Sequence, residues 1–110
     1  MAKIAPSILA ADFARLGEDV KDICDRGIDY LHIDVMDGLF VPSISYGMPV
    51  LQSVRRRTDL FLDVHLMIEK PERYIKDFAD SGADLINFHI EATEDVVGTI
   101  QLIREAGKKV

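Results

Sequence analysis

Two hydrophobic periods alternate along this chain. Runs whose side chains switch faces at every residue begin near Ile4, Tyr30, Leu60 and Leu85 and read as strands. Between them the apolar positions recur at helical spacing. Asp12 is placed to cap a helix with Phe13, Leu16, Val20, Ile23 and Cys24 on its apolar face, ended by Gly27. Pro49 suits the first turn of a second helix that turns Val50, Leu51 and Val54 inward. Pro71 opens a third, with Tyr74, Ile75 and Phe78 buried and Gly82 closing it. Thr93 is the expected cap of a fourth, with Val96, Ile100 and Ile103 inward and Gly107 at its end, and Lys108-Lys109-Val110 reads as the start of a fifth strand.

Two junctions repeat: Gly27-Ile28-Asp29-Tyr30-Leu31-His32 and Gly82-Ala83-Asp84-Leu85-Ile86-Asn87 both run glycine, apolar, aspartate, strand. A strand–helix repeat of roughly 25–30 residues implies a parallel sheet. Such a sheet either stays open or closes into a barrel. An open doubly wound sheet favours a glycine-rich first turn, and Ser7-Ile8-Leu9-Ala10-Ala11-Asp12 has no glycine. A barrel instead places polar groups at the inner, C-terminal ends of several strands. That pattern is present in Ser7, in Asp34 and Met36, in His65 and Met67, and in Asn87, His89 and Glu91. A (β/α)8 barrel takes about 250 residues as a rule, whereas this chain has 110. The expected architecture is therefore α/β, of the parallel (β/α)8 TIM-barrel type. Residues 1–110 would form its N-terminal half, a half-barrel of four βα units and the start of strand 5.

His32-Ile33-Asp34-Val35-Met36-Asp37-Gly38 carries the chemistry. A strand covered on both faces should be apolar throughout. Here His32, Asp34 and Met36 share one face, and an imidazole and a carboxylate placed there need a partner. With His65 at matching depth on the next strand, His32, Asp34 and His65 form the ligand set expected for Zn(II), Fe(II), Mn(II) or Co(II). One divalent ion held there can grip a carbonyl and an adjacent hydroxyl. It can then stabilise the enediolate left when the proton α to the carbonyl is removed, with Asp34 as the base. Met36 and Met67 are either core filler or a water-excluding wall for that enediolate. Ser7 either contacts substrate or caps its strand. Glu91 and Asp63 are weak candidates for a second acid, and His89 reads as a structural histidine. Asp37-Gly38 is expected to turn, with Leu39 to Tyr46 looping over the site.

Bulk properties narrow the partners. The net charge is −6, with 48% hydrophobic and 29% charged residues, and no basic stripe exists to neutralise nucleic-acid phosphates. Arg55-Arg56-Arg57 falls at a helix end, where it complements the dipole. No apolar run approaches a membrane span. The single cysteine, Cys24, forms no intrachain disulfide and is read as a core-facing helix residue. A strand-like segment directly after Met1 leaves no room for a leader, so the expected location is the cytoplasm.

Several of these segments together resemble the ribulose-phosphate 3-epimerase (pentose-5-phosphate 3-epimerase) family. They are Ile4 to Phe13, His32 to Gly38 with Phe40-Val41-Pro42, Leu62-Asp63-Val64-His65-Leu66-Met67, and Pro71-x-x-Tyr74-Ile75. The resemblance implies a (β/α)8 barrel isomerase of the pentose phosphate pathway that interconverts D-ribulose 5-phosphate and D-xylulose 5-phosphate. Carried over by position, it implies metal ligation by His32, Asp34 and His65 and proton abstraction by Asp34. Substrate contacts fall to Ser7 and His65, and Met36 and Met67 line the enediolate. The partner is a small sugar phosphate, and the full-length enzyme is expected to be a homo-oligomer. Ser43 departs from the family's usual asparagine. The family's fourth ligand and second acid, an aspartate, and its phosphate site fall beyond Val110, so the chain alone is expected to be inactive. Two alternatives stand beside this reading: a non-catalytic, self-associating half-barrel, and an epimerase of a hexulose phosphate such as allulose 6-phosphate. A decarboxylase-type relative would carry Asp-x-Lys where this chain has Asp63-Val64-His65.

Overall fold

The computed structural model describes residues 1–110. Three parallel strands, β1 (Tyr30–Met36), β2 (Phe61–Met67) and β3 (Leu85–Phe88), pair in sequence order. The helices are α1 (Leu16–Cys24), α2 (Met48–Arg57), α3 (Ile75–Ser81) and α4 (Val96–Glu105). Every helix feeds the same side of the sheet. Leu31, Ile33 and Val35 of β1, Leu62, Val64 and Leu66 of β2 and Ile86 of β3 are buried in one cluster. From the helices, Val20, Leu51, Val54, Ile75, Phe78 and Ile103 join them. Burying each such side chain contributes about 1.5–3 kcal/mol, so this layer holds the fold. The opposite face of β1 and β2 carries only half-buried residues.

The register sets what that second face can do. Tyr30 lies opposite Phe61, His32 opposite Asp63, Asp34 opposite His65, and Met36 opposite Met67. Beyond β2, His65 lies opposite Asn87. Both repeated glycine junctions take a left-handed turn, at Gly27 (φ 79°) and Gly82 (φ 122°), which ends the helix and aims the chain into the next strand.

Several expectations are corrected. Residues 3–9 do not form a strand. Ser7 makes a single parallel bridge to His32, and the His32 amide donates to Pro6 O at 2.9 Å. Pro6 has no N–H to extend that ladder, Ile4 is exposed, and the chain turns into a 3₁₀ segment at Ile8–Ala10. Phe13 is also exposed: it falls in a 3₁₀ turn ahead of α1 and stacks on Tyr46 at 5.5 Å. Asp12 does cap that turn. The N-cap of α4 is Asp95, which accepts from Gly98 N, while the Thr93 hydroxyl accepts from Asp95 N. On α4 the turns facing the core carry Thr99 and Ile103. Residues 108–110 contribute one bridge, Lys109 to Leu85, on the free edge of β3.

The Arg55-Arg56-Arg57 run does end α2, but Arg55 turns inward. It donates to Gly82 O, Thr58 O and Leu60 O and pairs with Asp84 at 2.9 Å, tying the entrances of β2 and β3 together. Cys24 is half-buried beside Thr58.

Candidate metal centre

Alternation along β1 and β2 lifts His32, Asp34 and His65 onto the face away from the helices, while their neighbours anchor the strands from below. The three side chains are only 14–22% exposed. His32 Nε2 and His65 Nδ1 each lie 3.0 Å from Asp34 Oδ1, and one ligand atom from each residue falls within 4.8 Å of the others. Asp34 Oδ2 points elsewhere, accepting from Ser7 Oγ at 2.6 Å.

The outer nitrogens are also engaged. His32 Nδ1 lies 2.9 Å from Asp63 Oδ2, and His65 Nε2 lies 2.7 Å from His89 Nε2. A neutral imidazole has one N–H. His32, set between two carboxylates, therefore satisfies both contacts only with a second proton or with a cation on its other nitrogen. Ligand atoms bonded at about 2.0–2.2 Å stand roughly 3–4 Å apart around an ion, and each histidine nitrogen stands at such a distance, 3.0 Å, from Asp34 Oδ1. Two imidazoles and a carboxylate are the donors a borderline divalent ion takes.

Burial pushes the Asp34 carboxyl up, but the Ser7 hydroxyl and the neighbouring His32 and His65 outweigh it and hold Asp34 below the usual carboxylate value. Burial lowers His65 below its ordinary value, more than the Asp34 carboxylate raises it. That keeps the ring neutral near pH 7, the state a ligand needs.

Ser7 lies at the cluster, where its hydroxyl both donates to Asp34 and accepts from Leu9 N. Met36 and Met67 sit side by side on the same face, two residues beyond Asp34 and His65. Asp63 meets His32 from below. His89 joins through His65 and is stacked by Phe40 at 5.2 Å. Glu91 is exposed, 3.8 Å from His89, and is not brought into the cluster.

Ser45 and Tyr46 were not legible as site residues. The edge of β1 beyond Ser7 has no strand beside it, so its amides turn to this loop. Tyr46 Oη accepts from Asp34 N at 3.1 Å, and Ser45 Oγ accepts from Met36 N and donates to Asp34 O. Burial, with the Asp34 charge nearby, pushes the Tyr46 hydroxyl up to about 12, so it stays protonated. Asp37 accepts from Leu39, Phe40 and Glu69 amides, pinning the loop base to the end of β2.

A parallel sheet with polar residues on one face, toward the carboxyl ends of its strands, and helices sealing the other defines an α/β protein. Solved structures agree on the fold. Orotidine 5'-monophosphate decarboxylase from Methanocaldococcus jannaschii superposes with a TM-score of 0.70 at 20% identity, over all of this chain and 50% of that one. A Yersinia pestis DHPS gives 0.66 at 17% identity, over 96% of this chain and 41% of that one. Residues 3–110 match the model of the ribulose-phosphate 3 epimerase family, and the chain belongs to that family. It is 57% identical over 109 residues to ribulose-phosphate 3-epimerase of Bacillus subtilis and 51% identical over 108 residues to that of Synechocystis. These alignments cover 99% and 96% of this chain but 50% and 47% of the relatives, so the chain spans about half the length of the curated relatives it matches.

Proposed function

We propose that this chain is the N-terminal half of a (β/α)8 barrel that epimerises C3 of D-ribulose 5-phosphate to give D-xylulose 5-phosphate. The observation that supports this best is the gathering of His32 Nε2 and His65 Nδ1 about Asp34 Oδ1, all within 4.8 Å of one another. A divalent ion (Zn, Fe(II), Mn or Co) would be held by those three atoms and, when bound, supplies a Lewis acid for the negative charge that develops on the substrate oxygens.

The chain's own groups do the rest. Asp34 divides its labour: Oδ1 faces the histidines, leaving Oδ2 to take the C3 proton. In the substrate-free state that oxygen is held by Ser7. Ser7 would release it by turning its hydroxyl to a substrate oxygen, which raises the basicity of Oδ2 when a proton is to be taken. Met36 and Met67 would cover the planar intermediate and keep water from reprotonating it at random. His65 serves as ligand and substrate contact. Inversion needs an acid on the opposite face, and no inward group of this chain faces Asp34 from there. That acid and the phosphate site would come from the C-terminal half of the barrel. The decarboxylase alternative has less support, because His65 stands where its lysine would be.

A coupled epimerase assay with Mn(II) or Co(II) tests this. The 110-residue chain alone is expected to give no turnover. Turnover should appear when it is co-folded with the C-terminal half of the B. subtilis relative and vanish in the same mixture carrying Asp34→Asn. Full turnover by the chain alone would overturn the half-barrel reading. A co-folded mixture whose activity ignores Asp34→Asn would overturn the mechanism.

A further inference from the structure

We infer that Asp63 is the positioning residue of this centre: it accepts the hydrogen bond from His32 Nδ1–H and thereby turns the Nε2 lone pair toward Asp34 and the ion. The inference rests on the metal-binding reading above and adds a role for a residue that neither ligates nor touches the substrate.

Three observations carry it. First, β1 and β2 set Asp63 opposite His32, and Asp63 Oδ2 lies 2.9 Å from Nδ1 while Nε2 lies 3.0 Å from Asp34 Oδ1. Neither carboxylate has a proton to give, so a neutral ring donates to only one of them; donation from Nδ1 to Asp63 leaves the Nε2 lone pair facing Asp34 Oδ1, an acceptor against an acceptor that a cation between them would relieve. Second, this is the only hydrogen bond the Asp63 side chain makes; its Oδ1 is buried with no partner. An orphaned buried carboxylate oxygen is destabilising, so the fold gains nothing from an acid here.

Third, the other aspartates beside the sheet behave differently. Asp84 accepts from Leu62 N and Arg55, and Asp37 from three backbone amides, so both hold the chain together. Asp63 holds only the imidazole. A carboxylate on the far nitrogen fixes the tautomer and orientation of a ligating histidine and makes it a stronger donor.

The test needs no activity. In the metal-free chain at alkaline pH, ¹⁵N NMR of the histidine rings should show His32 protonated at Nδ1. Asp63→Leu removes the acceptor and should shift His32 toward the Nε2–H form. Asp63→Asn, whose amide oxygen still accepts, should retain Nδ1–H. Co(II) titrated into the same proteins should bind Asp63→Leu about 10–100-fold more weakly than the parent, with Asp63→Asn losing less. An Nε2–H ring in the parent chain would overturn the inference, and because that reading uses no variant it stands whether or not Asp63→Leu folds. So would a folded Asp63→Leu with unchanged tautomer and unchanged affinity. A parent chain that binds no Co(II), yet whose His32 switches tautomer in Asp63→Leu, would overturn the metal reading and leave the hold of Asp63 on the ring in place.

Discussion

The two faces of β1 and β2 are built from alternate residues of the same fourteen-residue stretch of ladder, yet they follow opposite rules. The face toward the helices holds Leu31, Ile33, Val35, Leu62, Val64 and Leu66, each at most 4% exposed and none polar. The face away from them holds His32, Asp34, Asp63 and His65, a network of charge and lone pairs that no packing argument explains. What the contrast teaches is a division of work. One face stabilises the sheet strongly enough that the other can carry an arrangement that contributes little to folding and gathers groups that could hold a metal ion.

The strongest way to break that division is to exchange the effects. Leu62→Ala, beneath the site, should cost about 2–5 kcal/mol because it leaves a cavity among side chains that cannot collapse onto it; chemical denaturation reads this as a lower midpoint. Met67→Leu, on the open face, conserves volume and should cost less than about 1.5 kcal/mol. If Met67→Leu proved the more damaging, the inner face would be part of the structural core and the division would fail.

The smallest effect, acid between pH 7 and 5, sharpens the comparison because His65 lies on the face away from the helices. His65 titrates below its ordinary value in the folded chain. Its contribution to stability is therefore complete above about 6.5 and is lost as the pH falls through the folded value. Asp34, also lowered, follows with the same sign at more acid pH, where its contribution is present above the unfolded value and lost below it. Thermal melts of the metal-free chain should show Tm declining on acidification from pH 7. A Tm that rises over that interval would mean that protonated His65 is the form the fold prefers.

Much of this was legible from residue patterns. Alternation picked out Tyr30–Met36 and the β2 run because each buried residue has a polar or larger neighbour on the other face, and the same alternation set His32, Asp34 and His65 on one side. The resemblance to the family then survived comparison over residues 3–110. Failures share one cause, which is that a local pattern says nothing about its neighbours. Ile4 to Leu9 has strand-like residues, but only Ser7 finds a ladder. Thr93 and Asp95 are both good caps two residues apart, and only the path of the chain chooses Asp95. The partnership of Asp63 with His32 depends on the register of two strands, and that of Tyr46 with Asp34 on a loop folding back over an unpaired edge.

The central claim is that His32, Asp34 and His65 hold one divalent ion. X-ray absorption at the cobalt edge, on the chain loaded with one equivalent of Co(II), measures this directly. The account predicts a first shell of nitrogen and oxygen with the outer-ring scattering of two imidazoles, reduced to one imidazole in His65→Ala. A shell of oxygen alone, or a spectrum that His65→Ala leaves unchanged, would contradict it.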